Sequence, residues 1–124
     1  MNAPQELLYS KEHIWVKKEE DGSVLIGITD KAQEDLNAMV FVNFPMVGDS
    51  FNADDVMCDV ESVKSVSDIY APVNGTVSEI NELLMDTPEA INKAPYEAWL
   101  ARMTDVSGLE ELMDADAYVA FCAE

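Results

Sequence analysis

A chain of 124 residues, 48% of them hydrophobic, has the size and composition for one packed core. Its 25 acidic residues against 7 basic ones give a net charge of −18, which argues against nucleic-acid phosphates and anionic membranes as partners and suits basic protein surfaces or simple solubility. No apolar run reaches bilayer-spanning length. His13 is the lone histidine, and Cys58 and Cys122 lie far apart without a CxxC, so neither a zinc site nor a disulfide framework is expected and Cys58 reads as a reduced, buried thiol. No GxSxG accompanies His13 and no glycine-rich phosphate loop is present, which leaves the chain without recognisable catalytic machinery.

Residues 1–7 read as a loose arm without the basic-then-apolar order of a secretory signal or an Arg-rich transit character; a cytoplasmic protein is the expectation, with a processed mitochondrial protein as the alternative. Residues 9–19 carry Tyr9, Ile14, Trp15 and Val16 and read as extended, up to a hairpin turn at Asp21-Gly22. Val24, Ile26 and Ile28 form a second strand. Asp30 followed by Gln33 predicts a capping-box start to a short helix through about Leu36, covering one end of the fold. Residues 39–44 form a strand stopped by Pro45, Val47-Gly48-Asp49 a turn, and residues 50–55 an exposed acidic loop.

Residues 56–62 and 66–70 read as two strands, ended by Pro72. Asn74-Gly75 predicts another hairpin before a strand over residues 76–80. Residues 81–95, with Pro88 and Pro95, suit a loop with one helical turn, and residues 99–104 a last strand. Ser107 with Glu110 predicts a helix through about Met113, and Asp114 caps another from Ala115 to about Cys122. The apolar stripe Leu109, Leu112, Met113, Tyr118 and Phe121 is core packing. Many short strands with helices gathered at 107–124 make the chain a single domain, 1–124, mainly β, a small barrel or sandwich.

The stretch V-E-S-V-K-S-V-S-D, residues 60–68, organises the rest. Two short strands meet in a tight turn at Val63-Lys64, which leaves Lys64 exposed with its primary amine on a flexible stem. Such a lysine is placed to receive an acyl group, although lysines at exposed turns and edges also serve to discourage aggregation. Carried on to E-S-V-K-S-V-S-D-I-Y-A-P-V-N-G-T-V, the stretch closely resembles the lipoyl-attachment region of the glycine cleavage system H-protein family. Y-S-K-E-H-I-W-V, I-G-I-T-D-K-A-Q, V-F-V-N-F-P, V-G-D and P-Y-E-A-W extend the resemblance from about Tyr9 to Phe121.

The resemblance implies a lipoyl-domain-like barrel-sandwich hybrid, with two sheets related by approximate two-fold symmetry and the lysine at a hairpin tip. It implies one lipoic acid per chain in amide linkage to Lys64, Glu61 as the acid recognised by lipoylating enzymes, and Asp68 as a polar position of the cleft that receives the loaded arm. It further implies a non-catalytic shuttle among a glycine decarboxylase (P-protein), an aminomethyltransferase (T-protein) and a dihydrolipoamide dehydrogenase (L-protein). The chain departs from the pattern where an acid of that cleft becomes Ile14, with Glu12 as a candidate replacement. Asn37-Ala38 replaces a glycine-aspartate pair, Asp54 replaces a glycine, and Glu97-Ala98 shortens a glycine-rich segment. Two alternatives stand beside the carrier of glycine cleavage: a divergent paralogue in lipoyl relay or another lipoyl-dependent reaction, and an unmodified acidic interaction module. A biotin carrier is disfavoured, because that family flanks its lysine with methionines where this chain has Val63 and Ser65.

Overall fold

Alternation in two neighbouring strands lays out the protein, a computed structural model of which describes residues 3–123. Strand β2 (Ile14–Lys18) follows β1 (Leu8–Tyr9) and pairs antiparallel with β3 (Val24–Ile28) across the Asp21-Gly22 turn. Ile14, Val16, Val24, Ile26 and Ile28 point into the main core, whereas Trp15 points the other way into a second cluster with Leu7, Tyr9, Ala115 and Tyr118. Both faces of β2 are therefore covered over residues 14–16, while Lys17 and Lys18 are exposed. Trp15 lies opposite Gly27, and a Cβ on Gly27 would fall 2.5 Å from the indole ring. The missing side chain is what lets the ring lie flat on the sheet, with its Nε1 donating to the Pro95 carbonyl at 2.9 Å.

After β3 come helix α1 (Asp30–Leu36), β4 (Met39–Asn43), β5 (Ser50–Phe51), β6 (Val56–Ser62), β7 (Val66–Tyr70) and β8 (Asn74–Ile80). Two helical turns, α2 (Leu83–Asp86) and α3 (Ala90–Lys93), precede β9 (Ala101–Ser107), and α4 (Ala115–Cys122) ends the chain. The strands make a six-stranded sheet in the order β1-β2-β3-β9-β8-β5 and a three-stranded sheet in the order β4-β6-β7. Ile26, Val77, Leu100 and Met103 from the larger sheet side and Val42, Val60 and Ile69 from the smaller one share a single buried cluster. Each of these side chains contributes about 1.5–3 kcal/mol by leaving water. Helix α4 covers the outer face of the larger sheet, where Tyr118 stacks on Tyr9 with ring centroids 4.6 Å apart. No helix among the described residues is long and apolar enough to cross a membrane.

Several local expectations change. Asn74-Gly75 makes no hairpin: both residues lie inside β8, where Asn74 pairs with Ser107 and Gly75 with Phe51. Pairing on both sides overrides the local turn preference, and Asn74 spends its amide on the Ala53 N–H and the Ser107 hydroxyl. That use of Ser107 also removes it as a helix cap. The chain instead turns at Gly108, with φ +90°, into a 3₁₀ turn over Leu109–Glu111. Helix α1 is capped by Thr29, one residue earlier than expected, through the Ala32 N–H. Residues 81–95 hold two helical turns rather than one, and the last strand begins two residues later and runs to Ser107. Of the expected loose arm, Met1 and Asn2 lie outside the described residues. Of the rest, Gln5 and Glu6 are exposed, but Leu7 is buried and the Tyr9 hydroxyl donates to the Pro4 carbonyl at 2.7 Å, which anchors the arm at both places.

Candidate functional site

The hairpin that carries Lys64 is rooted in the core. Cys58, Val60 and Ile69 are buried on the inner face of the smaller sheet, and the ladder between β6 and β7 runs to the pair Glu61–Val66. Beyond it, residues 63–65 form the turn. The Ser62 N–H donates to the Ser65 carbonyl at 2.8 Å. The Ser62 hydroxyl closes the turn: it accepts from the Lys64 and Ser65 N–H groups and donates to the Ser65 carbonyl, each at 3.1 Å. This is a serine side chain standing in for a backbone turn bond.

Two hydrogen bonds tie this turn to the neighbouring helix and the segment after it. The Val63 N–H donates to the Ala38 carbonyl at 2.9 Å, and Lys64 Nζ donates to the Asp35 carbonyl at 3.0 Å. That carbonyl belongs to the last turn of α1, and Met39, which would be its helical donor, gives its N–H to Asn92 instead. A lysine at a helix C-terminus is favourably placed against the negative end of the helix dipole. Lys64 is exposed, so a group leaving this contact exchanges one hydrogen bond for water, a net change of about 1 kcal/mol. An exposed primary amine that can leave its resting contact fits amide linkage to an acyl group.

Glu61 and Asp68 share the outer face of the same hairpin. Glu61 is half-buried in a cross-strand row between Phe41 and Val66. Asp68 faces Asp59, whose carboxylate accepts from the Asn43 amide. Like charges opposed across a ladder cost stability, so the Asp59–Asp68 pair is not a folding device. Phe41, Val63 and Val66 are about half exposed or more, at 48%, 69% and 62%, so apolar and acidic groups alternate around the lysine.

The region of Ile14 is different. Ile14 is 1% exposed and packs in the main core. His13 before it adopts φ +66°, which interrupts the extended chain, and Glu12 is exposed. Glu12 and Ile14 therefore do not share a face, and Glu12 instead lines a surface hollow of about 420 Å³ with Ser10, Asp54 and Pro72. The His13 ring meets the Tyr118 hydroxyl at 2.8 Å, and that hydroxyl also meets Thr29 Oγ1 at 2.8 Å. Burial, and then the charge of Lys31, hold the imidazole below its ordinary pKa. Burial pushes the Cys58 thiol up to about 12, which keeps it out of thiol exchange at neutral pH.

Reading the sequence missed four contributors to the lysine site: Ser62, the carbonyls of Asp35 and Ala38, and Asn92. Ser62 alone had a local signal, a serine three residues before another serine at a tight turn. The others depend on pairings between distant parts of the chain.

The family model described as glycine cleavage H-protein matches residues 7–124. A glycine cleavage system H protein of Oceanobacillus iheyensis is 53% identical over 124 residues, covering 98% of each chain. One of Lachnoclostridium phytofermentans is 49% identical over 121 residues, covering 98% of this chain and 95% of its own. The crystal structure of a glycine cleavage system H protein from Mycobacterium marinum superposes with a TM-score of 0.87 at 35% identity, covering 98% of this chain and 99% of that one. With the family model spanning nearly the whole chain and the fold matching throughout, this protein belongs to the glycine cleavage H-protein family.

Proposed function

We propose that this glycine cleavage lipoyl carrier bears its cofactor on Lys64, one lipoic acid per chain, in amide linkage through Nζ. The observation that carries the reading is an exposed amine at the tip of a hairpin whose turn is closed by Ser62 and whose strands are rooted in the core. In the modification, Nζ attacks an activated acyl carbon, the C–N bond forms as the activating group departs, and nitrogen gives up a proton. When bound, the lipoyl group supplies a dithiolane able to take up and release an aminomethyl unit and to cycle between disulfide and dithiol. The chain itself orients the arm. Ser62 keeps the turn stiff enough for a modifying enzyme to recognise, and the long stem gives one attachment point access to several active sites at high effective concentration.

Glu61, on the outer face next to the tip, offers its carboxylate to lipoylating enzymes, and Asp68 on the same face marks the side on which the arm is received. The chain acts as one non-catalytic carrier domain, 1–124, in the cytoplasm. Its partners are the glycine decarboxylase, the aminomethyltransferase and the dihydrolipoamide dehydrogenase of the system. The net charge of −18 favours basic docking surfaces on them. The test is peptide mapping of protein made in lipoate-replete cells, followed by glycine-dependent reduction of the arm with decarboxylase present. An adduct on Lys64 that turns over is expected. A Lys64 adduct that the decarboxylase does not reduce would assign the chain to another lipoyl-dependent reaction.

A further inference from the structure

The lateral position of the lysine turn is set from outside the hairpin. Val63 donates to the Ala38 carbonyl, so the turn goes where residues 37–39 put it. Those residues are an improbable anchor in isolation. Asn37, the C-cap of α1, stands at φ 67° and ψ −155°, a backbone region that is normally left to glycine. Such a conformation persists where its surroundings hold it in place.

What holds it is the Asn92 side chain from α3. Its Oδ1 accepts from the Met39 N–H at 2.8 Å. Its Nδ2 donates to the Asn37 carbonyl at 2.8 Å and to Gln33 Oε1 at 3.1 Å. One primary amide thus engages the residues before and after Ala38 and the last turn of α1 together. The set needs both a donor and an acceptor, which an aspartate or an aliphatic side chain lacks. We infer that Asn92 is a positioning residue for acyl transfer to Lys64: its amide fixes residues 37–39, and the Ala38 carbonyl between them fixes the root of the arm. This rests on Lys64 being the acylated residue. Acylation removes the ammonium that now donates to Asp35, so the Ala38–Val63 bond, which continues the β4–β6 ladder one residue past its Met39–Ser62 pair, becomes the last lateral tie before the tip in the loaded protein.

The test compares the parent protein with Asn92→Ala and Asn92→Asp. Two quantities are read: amide exchange in the unmodified protein, and the initial rate of lipoyl transfer by a lipoylating enzyme. The Val63 amide of Asn92→Ala should exchange about tenfold faster, while the Leu100 amide, bonded to the Ile26 carbonyl at 2.7 Å, keeps its parental rate. Transfer efficiency, kcat/KM, should fall roughly three- to tenfold. Asn92→Asp retains the bond from Met39 and should fall between. Adding Asn37→Gly to Asn92→Ala, which relieves the strained backbone, should recover part of the Val63 protection.

Parental exchange at Val63, or parental transfer rates, in both variants would overturn the inference. So would equal loosening at Val63 and Leu100, which would mark a general loss of stability. Peptide mapping separates this failure from that of the underlying reading. Modification of Lys64 at the parental rate sinks the role of Asn92, whereas modification elsewhere sinks the assignment of Lys64.

Discussion

Replacing Ser62 by alanine removes one hydroxyl and three hydrogen bonds: those from the Lys64 and Ser65 N–H groups and that to the Ser65 carbonyl. The turn is exposed and water takes over part of each bond, so the local loss is about 1–2 kcal/mol rather than three full bonds. That corresponds to a roughly 5- to 30-fold rise in the population of open turns. The strands below are held by buried Cys58, Val60 and Ile69 and by the Ser62 backbone bond to Ser65. Opening is therefore confined to the tip, and the melting temperature should drop by no more than a few degrees. The assay is rapid amide exchange at Lys64 and Ser65 alongside initial rates of lipoyl transfer. Both amides should exchange faster and transfer should slow several-fold, with Ser62→Thr, which keeps a hydroxyl, close to the parent. Unchanged exchange at both amides with an unchanged transfer rate would refute the claim that a pre-formed turn presents the lysine.

Three further outcomes follow from the same geometry. Gly27→Ala places a methyl group 2.5 Å from a buried indole whose Nε1 is bonded to Pro95; it should cost about 2–4 kcal/mol, read as a lowered urea midpoint and a shift in tryptophan emission. Asn37→Gly relieves a backbone conformation that suits glycine and should stabilise the protein by about 1 kcal/mol in the same unfolding experiment. The third concerns His13, which faces Tyr118 and Thr29 and lies near Lys31, Asp35 and Glu12. Its folded pKa lies below the ordinary 6.5 because of burial first and Lys31 second. The unfolded chain therefore takes up the proton before the folded one, and stability falls as pH drops from about 6.5 towards the folded value. His13→Asn, which accepts the left-handed backbone at that position, should lose that part of the pH slope while the carboxylates' contribution at lower pH persists.

The lysine hairpin was legible because its information is local: valines spaced for a strand on either side of a tight turn, inside a long family resemblance. Asp21-Gly22 and the Asp114 cap of α4 were legible for the same reason, since the residues that make them are adjacent. Asn74-Gly75 and Ser107 misled because each carries a strong local preference and the two side chains bond to one another across β8 and β9. Asn37, in place of a glycine, stands at a positive φ that asparagine tolerates, and no neighbouring residue announced its ψ of −155°. Asp54, another replaced glycine, does take a positive φ of 74°. Glu12 and Ile14 were hard to place because a left-handed His13 between them breaks the alternation that would have related them. Asn92 was invisible for a plainer reason: its partners lie in α1 and β4, more than fifty residues away, and a helical turn containing one asparagine announces none of them.

The most direct measurement is the intact mass of this protein and of Lys64→Ala, each produced in cells supplied with lipoate. A single lipoyl adduct on the parent, absent from Lys64→Ala while every other lysine is intact, is the predicted result. An unmodified parent, or an adduct that survives the substitution, would contradict the central claim that the β6–β7 tip is the root of the arm.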